Sequence, residues 1–502
     1  MVTKIETWED TGQGYPLRWW VLPIVCLPTL AVLLNGNIVF IALPAIGDTF
    51  RDFPNLGEWV LTSFSLVAAA LSLPAGELGD RIGLRKVFSW GLWLFILGSG
   101  ICFFAFKGWI LILGRVICAC GAAILAPVAL ACLRRIFPPE EQAIAFGYWS
   151  ASVTIGTVIG PFLGGFLEHI ASWHWVFFAP VVPAAIGLLG LLLLPLLPGK
   201  QISTKPDYMG ITTIGFAIFF LLFFLMESPN LSPSLNILII CLFLLTVVMW
   251  RQSANKPSAI IPLNIITRNS WYVPSVLQLF IRALFVFVMT CLTVYFQQGR
   301  NLSALQTSIH ILPLSIVSGV VSLVSGYLEK SFGVKYLMMA TLTLTALGFW
   351  SLRDIPLSGF DGGEWFGIVA FGILYGNTAQ LSHQALVHFP KSQAMRGSAI
   401  NTLIINLGLA LGAAIYSIFV SIALPLNLKQ QSNWQFPVEI PSSFQAILNQ
   451  VDQNLHTSSH SQSLQALQES LAHSFGFGFA LCAIFCLIAI AITYSMRPFS
   501  SN

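Results

Sequence analysis

Two arginines lie inside long apolar stretches of the sequence, where a charged side chain is costly. Arg115 is near the seventh residue of the stretch Trp109–Leu133, and Arg282 is about eleven residues into Trp271–Phe296. An arginine at the centre of a membrane helix costs about 3 kcal/mol on insertion scales, so both side chains are expected to face protein and to have partners there. Residues of this kind mark ion pathways or substrate sites. For Arg115, tying helices together through backbone carbonyls is the alternative.

Polar and aromatic side chains recur within other apolar stretches and would line a pocket if they faced a common interior. Such groups face a cavity or another helix, so hydrogen bonding between helices is the alternative role for each. No aspartate or glutamate lies near the middle of any stretch. Two buried cations without a matching acid favour a neutral or anionic ligand. The candidate pocket residues are Asn35, Trp149, Gln278, Arg282, Tyr375, Asn377 and Asn401.

The elements that carry these residues are membrane helices by composition. The chain has 502 residues, of which 56% are hydrophobic and only 9% charged, and a soluble protein could not bury so much apolar surface. Fourteen apolar stretches of roughly 17–29 residues are each long enough to cross a bilayer. The predicted fold class is an all-α polytopic membrane protein. Four stretches that matter below are Trp59–Ala75, Trp175–Leu197, Trp365–Phe389 and Phe475–Met496.

Charge and cysteine usage exclude several other classes of protein. The net charge of +4 comes from loops and does not indicate nucleic acid binding, and the nine cysteines lie inside apolar stretches without disulfide or metal-ligand spacing. If both termini are cytoplasmic, 17 of the 24 Lys and Arg residues fall in cytoplasmic segments. This asymmetry predicts that orientation in a bacterial inner or plasma membrane.

A short charged link, Gly76–Lys86 (GELGDRIGLRK), joins two apolar stretches and has a second, degenerate copy at Gly326–Lys335. A positively charged cytoplasmic turn is the simple interpretation of one such link. Two copies are typical of a transporter built from repeats. The link resembles the signature loop between the second and third helices of the major facilitator superfamily of secondary transporters.

The position of the two links supports a finer resemblance. They follow the second and tenth stretches, so stretches 1–6 pair with 9–14 and leave two inserted helices. This 6+2+6 arrangement is similar to the fourteen-helix drug:proton antiporter family, the EmrB/QacA type. The corresponding domains are a tail at 1–18, a first bundle at 19–200, two linker helices at 201–256 and a second bundle at 257–502. The second bundle includes a long extracytoplasmic loop at 426–473, in which an interfacial amphipathic helix is predicted around Phe444–Leu455.

The resemblance assigns roles to residues in three motifs. The fifth stretch resembles the motif that marks exporters of the superfamily, although tight helix packing by its glycines is also expected. Arg115 matches the arginine of the fourth-helix motif, which the family ties to proton coupling. The resemblance implies that Asp80 locks one conformation by pairing with Arg134, Arg135 or a helix N-terminus, with Glu140 and Glu141 as competitors. The switch residues are Gly76, Asp80, Arg81, Gly83, Arg85 and Lys86, and the exporter motif is Gly156, Gly160, Pro161, Gly164 and Gly165.

The first stretch departs from the family at the position that concerns proton coupling. Asn35 stands where the family places an aspartate, and asparagine cannot carry a proton. An antiporter that exchanges protons needs a group whose protonation alternates. Besides Arg115 and Asn35, the coupling candidates are therefore Glu77, His310 and His383.

Together these features predict a secondary transporter that exports amphipathic small molecules by alternating access, driven by the proton gradient. A lipid or metabolite exporter without a drug role and with other coupling is the alternative. A membrane-embedded enzyme is less favoured because no loop carries a catalytic set, and no phosphate-binding loop for a primary pump exists. The expected partners are the substrate and the bilayer, with a periplasmic adaptor protein as a further candidate. No cofactor or metal is implied.

Overall fold

The chain is helical throughout the part described by a computed structural model. The described residues are 15–53, 55–195, 197, 208–227, 231–254, 269–354, 362–387, 394–430 and 460–495. The environments of Gly76, Glu77, Asp80, Glu140 and His383 lie outside this description, so the roles predicted for them stay predictions.

The described residues form fourteen helices. Two of them, α6 and α12, are each interrupted and are counted once. The first group, called the first bundle, is α1 Arg18–Thr49, α2 Leu56–Ile82, α3 Leu84–Phe103, α4 Gly108–Ile136, α5 Pro139–Ile170, α6a Trp175–Phe178 and α6b Val181–Gly190. Two further helices are α7 Tyr208–Glu227 and α8 Pro233–Ala254. The second bundle is α9 Asn269–Val294 with a π-helical end at Tyr295–Gly299, α10 Ala304–Phe332, α11 Val334–Ser351, α12a Gly362–Gly376, α12b Thr378–Val387, α13 Ala394–Gln430 and α14 His460–Tyr494.

Many of these helices meet the requirements for crossing a membrane. Among the described residues, nine have the length and hydropathy of a transmembrane helix, and three shorter apolar helices accompany them. The chain is therefore a multi-pass membrane protein. That all fourteen helices cross the bilayer remains a prediction.

Single glycines form the joints in both copies of the repeated link. α2 was expected to end at Ala75, but it continues to Ile82, and α3 begins at Leu84. Gly83, with φ 109°, is the only residue between them, and Gly333, with φ 76°, is the only residue between α10 and α11. Positive φ suits glycine because it has no Cβ. The charged link is thus mostly helix, and its reversal is concentrated in one peptide.

Alanine at Gly83 is expected to destabilise the protein by about 1–2 kcal/mol, since an L side chain is strained at this φ. Gly333→Ala tests the second joint in the same way. Gly100→Ala is the matched control, because its Cβ would meet nothing within 4 Å in the interior of α3. Thermal unfolding in detergent measures the difference. Equal melting temperatures for Gly83→Ala and Gly100→Ala would contradict the argument.

Two stretches predicted as continuous helices are interrupted. α12 breaks at Asn377, whose Nδ2 donates to the Ile373 carbonyl at 3.2 Å. An asparagine that bonds its own preceding turn competes with the backbone ladder and disturbs the helix. In α6 the interruption falls before Val181, where Pro180 lacks an N–H donor.

The last connection is shorter than predicted. α13 extends to Gln430 and α14 begins at His460, fifteen residues before the predicted Phe475. The predicted loop 426–473 is therefore helical at both ends. The predicted amphipathic helix around 444–455 lies outside the described residues.

The main core shared by the two bundles lies toward one end of the first bundle. The helices have a Gly83 face, where α2 ends and α3 begins, and a Lys107 face, where α3 ends and α4 begins. In the first bundle, apolar residues toward the Gly83 face pack with one another. Those toward the Lys107 face, such as Ile38, Val60 and Phe177, join one continuous cluster with α9–α14. A smaller cluster joins Leu66 of α2 to α7, α12b and α13.

Candidate substrate and coupling site

Arg115 lies buried in the first bundle and bonds two partners that sequence order keeps far apart. Its side chain is 1% exposed. Nε donates to the Val60 carbonyl at 2.9 Å, and Nη1 donates to Asn35 Oδ1 at 2.5 Å. The guanidinium also lies 4.3 Å from the ring centre of Phe64, a cation–π contact. Arg115 has no ion pair within the described residues, so neutral oxygens and a ring face hold this charge.

The predicted pair Asn35 and Arg115 is therefore brought into direct contact. Asn35 is fully buried, and its Nδ2 has no hydrogen-bond partner among the described residues. An aspartate here would place a carboxylate against the guanidinium, whereas the amide leaves the contact without a titratable group. The departure from the family pattern thus falls on the partner of the buried arginine.

Arg282 forms the corresponding cluster in the second bundle. One guanidinium nitrogen donates to the Tyr375 hydroxyl and another to Thr378 Oγ1 at 3.2 Å. The guanidinium lies 4.7 Å from the centre of the Tyr375 ring, which stacks on Phe285 at 4.1 Å. Phe285 in turn meets Phe40 of α1 edge to face at 5.7 Å. The half-buried Arg282 guanidinium therefore lies at one end of a row of aromatic rings, Tyr375, Phe285 and Phe40, which is called the aromatic ladder below. This ladder connects α12 and α9 with α1 of the first bundle.

The other predicted pocket residues are distributed over both bundles. Gln278, one turn before Arg282, donates to Ser382 of α12b at 2.5 Å, and its Oε1 is buried without a partner among the described residues. Asn377 marks the break in α12. The Oδ1 atoms of Asn377 and Asn401 are also buried without a hydrogen-bond partner among the described residues. Trp149 lies apart in the first bundle, where it donates to Thr29 at 3.1 Å. The buried amide oxygens around α9, α12 and α13 offer acceptors to a ligand with donors.

The glycines of the exporter motif bring α5 against α1. A Cβ at Gly160 would lie 2.8 Å from Asn37 Cβ, and one at Gly164 would lie 2.6 Å from the Ile38 carbonyl oxygen. Gly156 packs on the Leu30 carbonyl in the same way. The helix passes Pro161, which is buried, without a break. Because these glycines have no side chain, α5 lies close against α1, which is the tight helix packing expected from their spacing.

Gly165 differs from the other motif glycines because it faces the second bundle. A Cβ there would lie 2.5 Å from the Ala304 carbonyl oxygen and from Ser308 Oγ of α10.

Gly408 and Gly412 of α13 pack on Leu279 and Ala283 of α9 in the second bundle. The two bundles therefore use the same type of contact at corresponding helices. Gln297 adds a hydrogen bond between bundles, from its Nε2 to the Ile41 carbonyl at 2.8 Å.

The charged residues at the Gly83 face are only partly described. Arg81 and Arg85 are half-buried and Lys86 is exposed. Glu141 was predicted to compete for Arg134 and Arg135. It instead accepts two hydrogen bonds from Arg18 at the start of α1, at 2.5 and 2.8 Å. The N-terminal helix is thereby fixed to α5.

The Arg18–Glu141 pair predicts a weak dependence of stability on pH. The hydrogen bond from Arg18 lowers the pKa of Glu141 below its ordinary value of 4.5. A lowered pKa gives stability above the ordinary value that is lost as the pH falls through the folded value. We expect wild type to melt slightly above Glu141→Gln at pH 7, and the gap to close only below pH 4.5. A gap that closes on raising the pH would contradict this.

His310, a predicted coupling residue, lies beside an aromatic cluster in the second bundle. Its Nδ1 is 2.6 Å from the Gln306 carbonyl oxygen, and its ring lies 5.8 Å from Phe296 and 6.2 Å from Trp365. No described contact joins it to Arg115 or Arg282.

Two acids at helix starts were missed by the sequence analysis, the buried Glu364 and the half-buried Glu58. Glu364 pairs with Arg300, and their side chains are 3% and 4% exposed. Arg300 lies in the connection between α9 and α10, and its Nε also donates to the Tyr295 hydroxyl at 3.0 Å. Glu58 begins α2 and lines a cavity between the bundles. Both acids precede a tryptophan that was taken as the first residue of an apolar stretch, and the helices begin before that tryptophan.

Comparison with known proteins identifies the family. The profile described as Major Facilitator Superfamily matches residues 25–413. The chain belongs to the major facilitator superfamily. It is a transporter of that superfamily and not an enzyme, and its relatives include drug-resistance transporters consistent with the drug:proton antiporter family.

Curated members of the superfamily are similar over most of their length. The riboflavin transporter RibZ of Clostridioides difficile is 26% identical, over 83% of this chain and 91% of that protein. The methyl viologen resistance protein SmvA of Salmonella typhimurium is 27% identical, over 82% and 86%. The tetracenomycin C resistance and export protein of Streptomyces glaucescens is 27% identical, over 82% and 77%.

Solved structures of the superfamily show the same fold. A bacterial homologue of the human lysosomal transporter Spinster, in an inward-facing conformation, superposes with a TM-score of 0.63 at 18% identity. The match covers 97% of this chain and 99% of that one. The major facilitator fold predicted from the repeated link is thus confirmed.

Proposed function

We propose that this protein exports amphipathic small molecules by alternating access and exchanges them for protons. The observation that carries the proposal is the aromatic ladder from Phe40 through Phe285 and Tyr375 to Arg282, at the meeting of the two bundles. Ring faces bind flat apolar groups, while the guanidinium and the buried amide oxygens bind polar ones. The site suits compounds that are partly aromatic and neutral or anionic.

The arrangement of the bundles supports alternating access. Gln297–Ile41 and Gly165–Ala304 join the bundles at the Lys107 face, and the shared core lies at the same end. We take the Lys107 face to be extracytoplasmic because the positively charged segments lie at the other face. This conformation then corresponds to closure on the outside. Fourteen membrane crossings and cytoplasmic termini belong to the same proposal.

The names of the relatives bear on substrate class in both directions. Resistance to methyl viologen and export of tetracenomycin C favour drug efflux. The name riboflavin transporter favours the second candidate, a metabolite carrier without a drug role. A periplasmic adaptor protein is a further candidate partner of a drug exporter.

Efflux from energised cells, measured for a panel of lipophilic dyes and antibiotics with and without a protonophore, tests the proposal. We expect efflux that collapses when the protonophore is added. Efflux that persists would overturn the proton coupling. Absence of efflux for the whole panel, with riboflavin moved by the same cells, would favour the metabolite carrier. Proton-coupled exchange of cationic dyes that is lost on Asn35→Leu would contradict the preference for neutral or anionic compounds.

A further inference from the structure

We propose that Glu58 is the acid that gains and loses a proton during transport, in place of the acid that the first helix lacks. The inference rests on the proposed function, since it assigns a residue to the proton exchange. Glu58 is the third residue of α2. It lines a cavity of about 60 Å³ whose walls come from both bundles, a volume that holds a few water molecules.

The cavity is built so that relative movement of the bundles opens it. Its walls include Leu43 of α1 and Leu61 of α2 on one side. Thr290 of α9, Gln298 of the π-helical end and Tyr416 of α13 form the other side. Glu58 is the one charged residue among those that line it. Separation of the bundles at the Lys107 face would expose Glu58 to water, and their approach encloses it.

The neighbours of Glu58 favour different charge states. Glu58 lies in the first turn of α2, where the helix dipole favours the ionised form of an acid. The acid Glu227 of α7, which accepts a hydrogen bond from Trp59 at 2.7 Å, repels it. Tyr416 of α13 lines the same cavity, and its neutral hydroxyl does not balance the charge of an ionised Glu58. No ion pair reaches Glu58 anywhere in the described part of the chain.

The charged groups on the other elements nearby are already occupied. Arg115 of α4 binds the Val60 carbonyl and Asn35. On α1, Asp48 lies next to the cavity residue Gly47 and pairs with Arg51 at 3.7 Å. A carboxylate enclosed without a cation is strongly disfavoured, whereas one in contact with water is not. Opening the cavity therefore lets Glu58 take up a proton from the outer solution, and closing it favours the protonated form, so that the proton stays bound while the bundles close over it.

This arrangement differs from the polar clusters predicted from sequence. The arginines of Arg115–Asn35 and Arg282–Tyr375 stay protonated, so these pairs cannot gain or lose a proton when the bundles move. Glu58 combines a proton-binding group, a small space for water and a wall that moves. It supplies the alternation that Asn35 cannot.

Purified protein in proteoliposomes tests the assignment with one substrate from the efflux panel. Two activities are compared, transport driven by an imposed pH gradient and substrate counterflow without a gradient. We expect Glu58→Gln to lower gradient-driven transport by about tenfold or more while counterflow stays within about twofold, because exchange of substrate for substrate needs no net proton movement. Glu58→Asp should restore part of the driven transport. Counterflow in wild type should vary with pH and in Glu58→Gln it should not.

The matched control is Glu469→Gln, which removes an acid of α14 that is absent from the cavity wall. It should leave both activities unchanged. If Glu58→Gln keeps wild-type gradient-driven transport, Glu58 is not the proton site and the proposed function stands. If wild type itself ignores the pH gradient, the proton coupling and the assignment both fall. If Glu58→Gln loses counterflow as well, and Glu58→Asp does not restore it, Glu58 is a structural residue and the assignment falls.

Discussion

Replacing Arg115 by alanine is expected to lower transport about a hundredfold or more, since each 1.4 kcal/mol corresponds to a factor of ten and hydrogen bonds to a buried charged group contribute about 1.5–3 kcal/mol. The change leaves the Val60 carbonyl and Asn35 Oδ1 without their donor. Uptake into proteoliposomes, normalised to protein that elutes as a single species from size exclusion, measures the loss.

Arg115→Lys separates charge from geometry in this prediction. A lysine keeps the positive charge but has a single ammonium in place of the planar group that reaches both acceptors. We expect it to restore less than about a tenth of wild-type transport, because an Arg-to-Lys change is not conservative at a two-partner site. Arg51→Ala is the control, since Arg51 is 43% exposed and its pair with Asp48 is long. Wild-type transport in Arg115→Lys would show that the charge alone is required.

Removal of the Glu364 carboxylate is expected to destabilise the protein by about 3–5 kcal/mol, since it breaks a buried ion pair by removing one partner. Arg300 would retain the Tyr295 hydroxyl and two aromatic faces, with ring centres 5.1 and 5.7 Å away. Chemical unfolding in detergent, followed by tryptophan fluorescence, measures the change for Glu364→Ala.

The chain offers a control for this prediction in a second, exposed ion pair. Arg353 and Asp354 are 45% and 78% exposed, so Asp354→Ala should cost less than about 1 kcal/mol. The double change Glu364→Ala with Arg300→Met should recover part of the lost stability, because it removes the other buried charge of the pair as well. If the double change is as unstable as the two single changes added together, the pair is not coupled and the argument fails.

Much of the fold was predictable because its signals are local in sequence. Apolar stretches gave the helices, and the spacing of glycines on α5 predicted which face packs closely. The repeated link predicted two related halves. The helix ends were predicted less well, since hydropathy falls where a helix leaves the apolar layer while its backbone ladder continues. α2, α13 and α14 all extend beyond their apolar parts for this reason.

The chemistry of the site was less predictable because it depends on contacts between distant residues. Arg115 was identified as a buried charge, but nothing in the sequence pairs it with Asn35, 80 positions away. Glu58 and Glu364 lie at helix starts, where an acid usually reaches solvent and stabilises the first turn. Only the packing of neighbouring helices over those starts buries Glu364 and half-buries Glu58. Arg300 lies in the connection between α9 and α10, and its burial beside Glu364 likewise depends on contacts between distant residues.

The joint at Gly83 sets the rotational register of α3 as well as the direction of the chain. Because Gly83 alone separates the two helices, no loop can accommodate an insertion. One extra residue would turn α3 by about 100° about its axis. The face of α3 that meets α4 carries Gly98, where a Cβ would lie 2.2 Å from the Cys118 backbone nitrogen, and Gly91, where it would lie 2.9 Å from Ile124. A turned helix would present larger side chains to α4 at those points. The single residue Gly83 therefore keeps the glycine-bearing face of α3 turned toward α4.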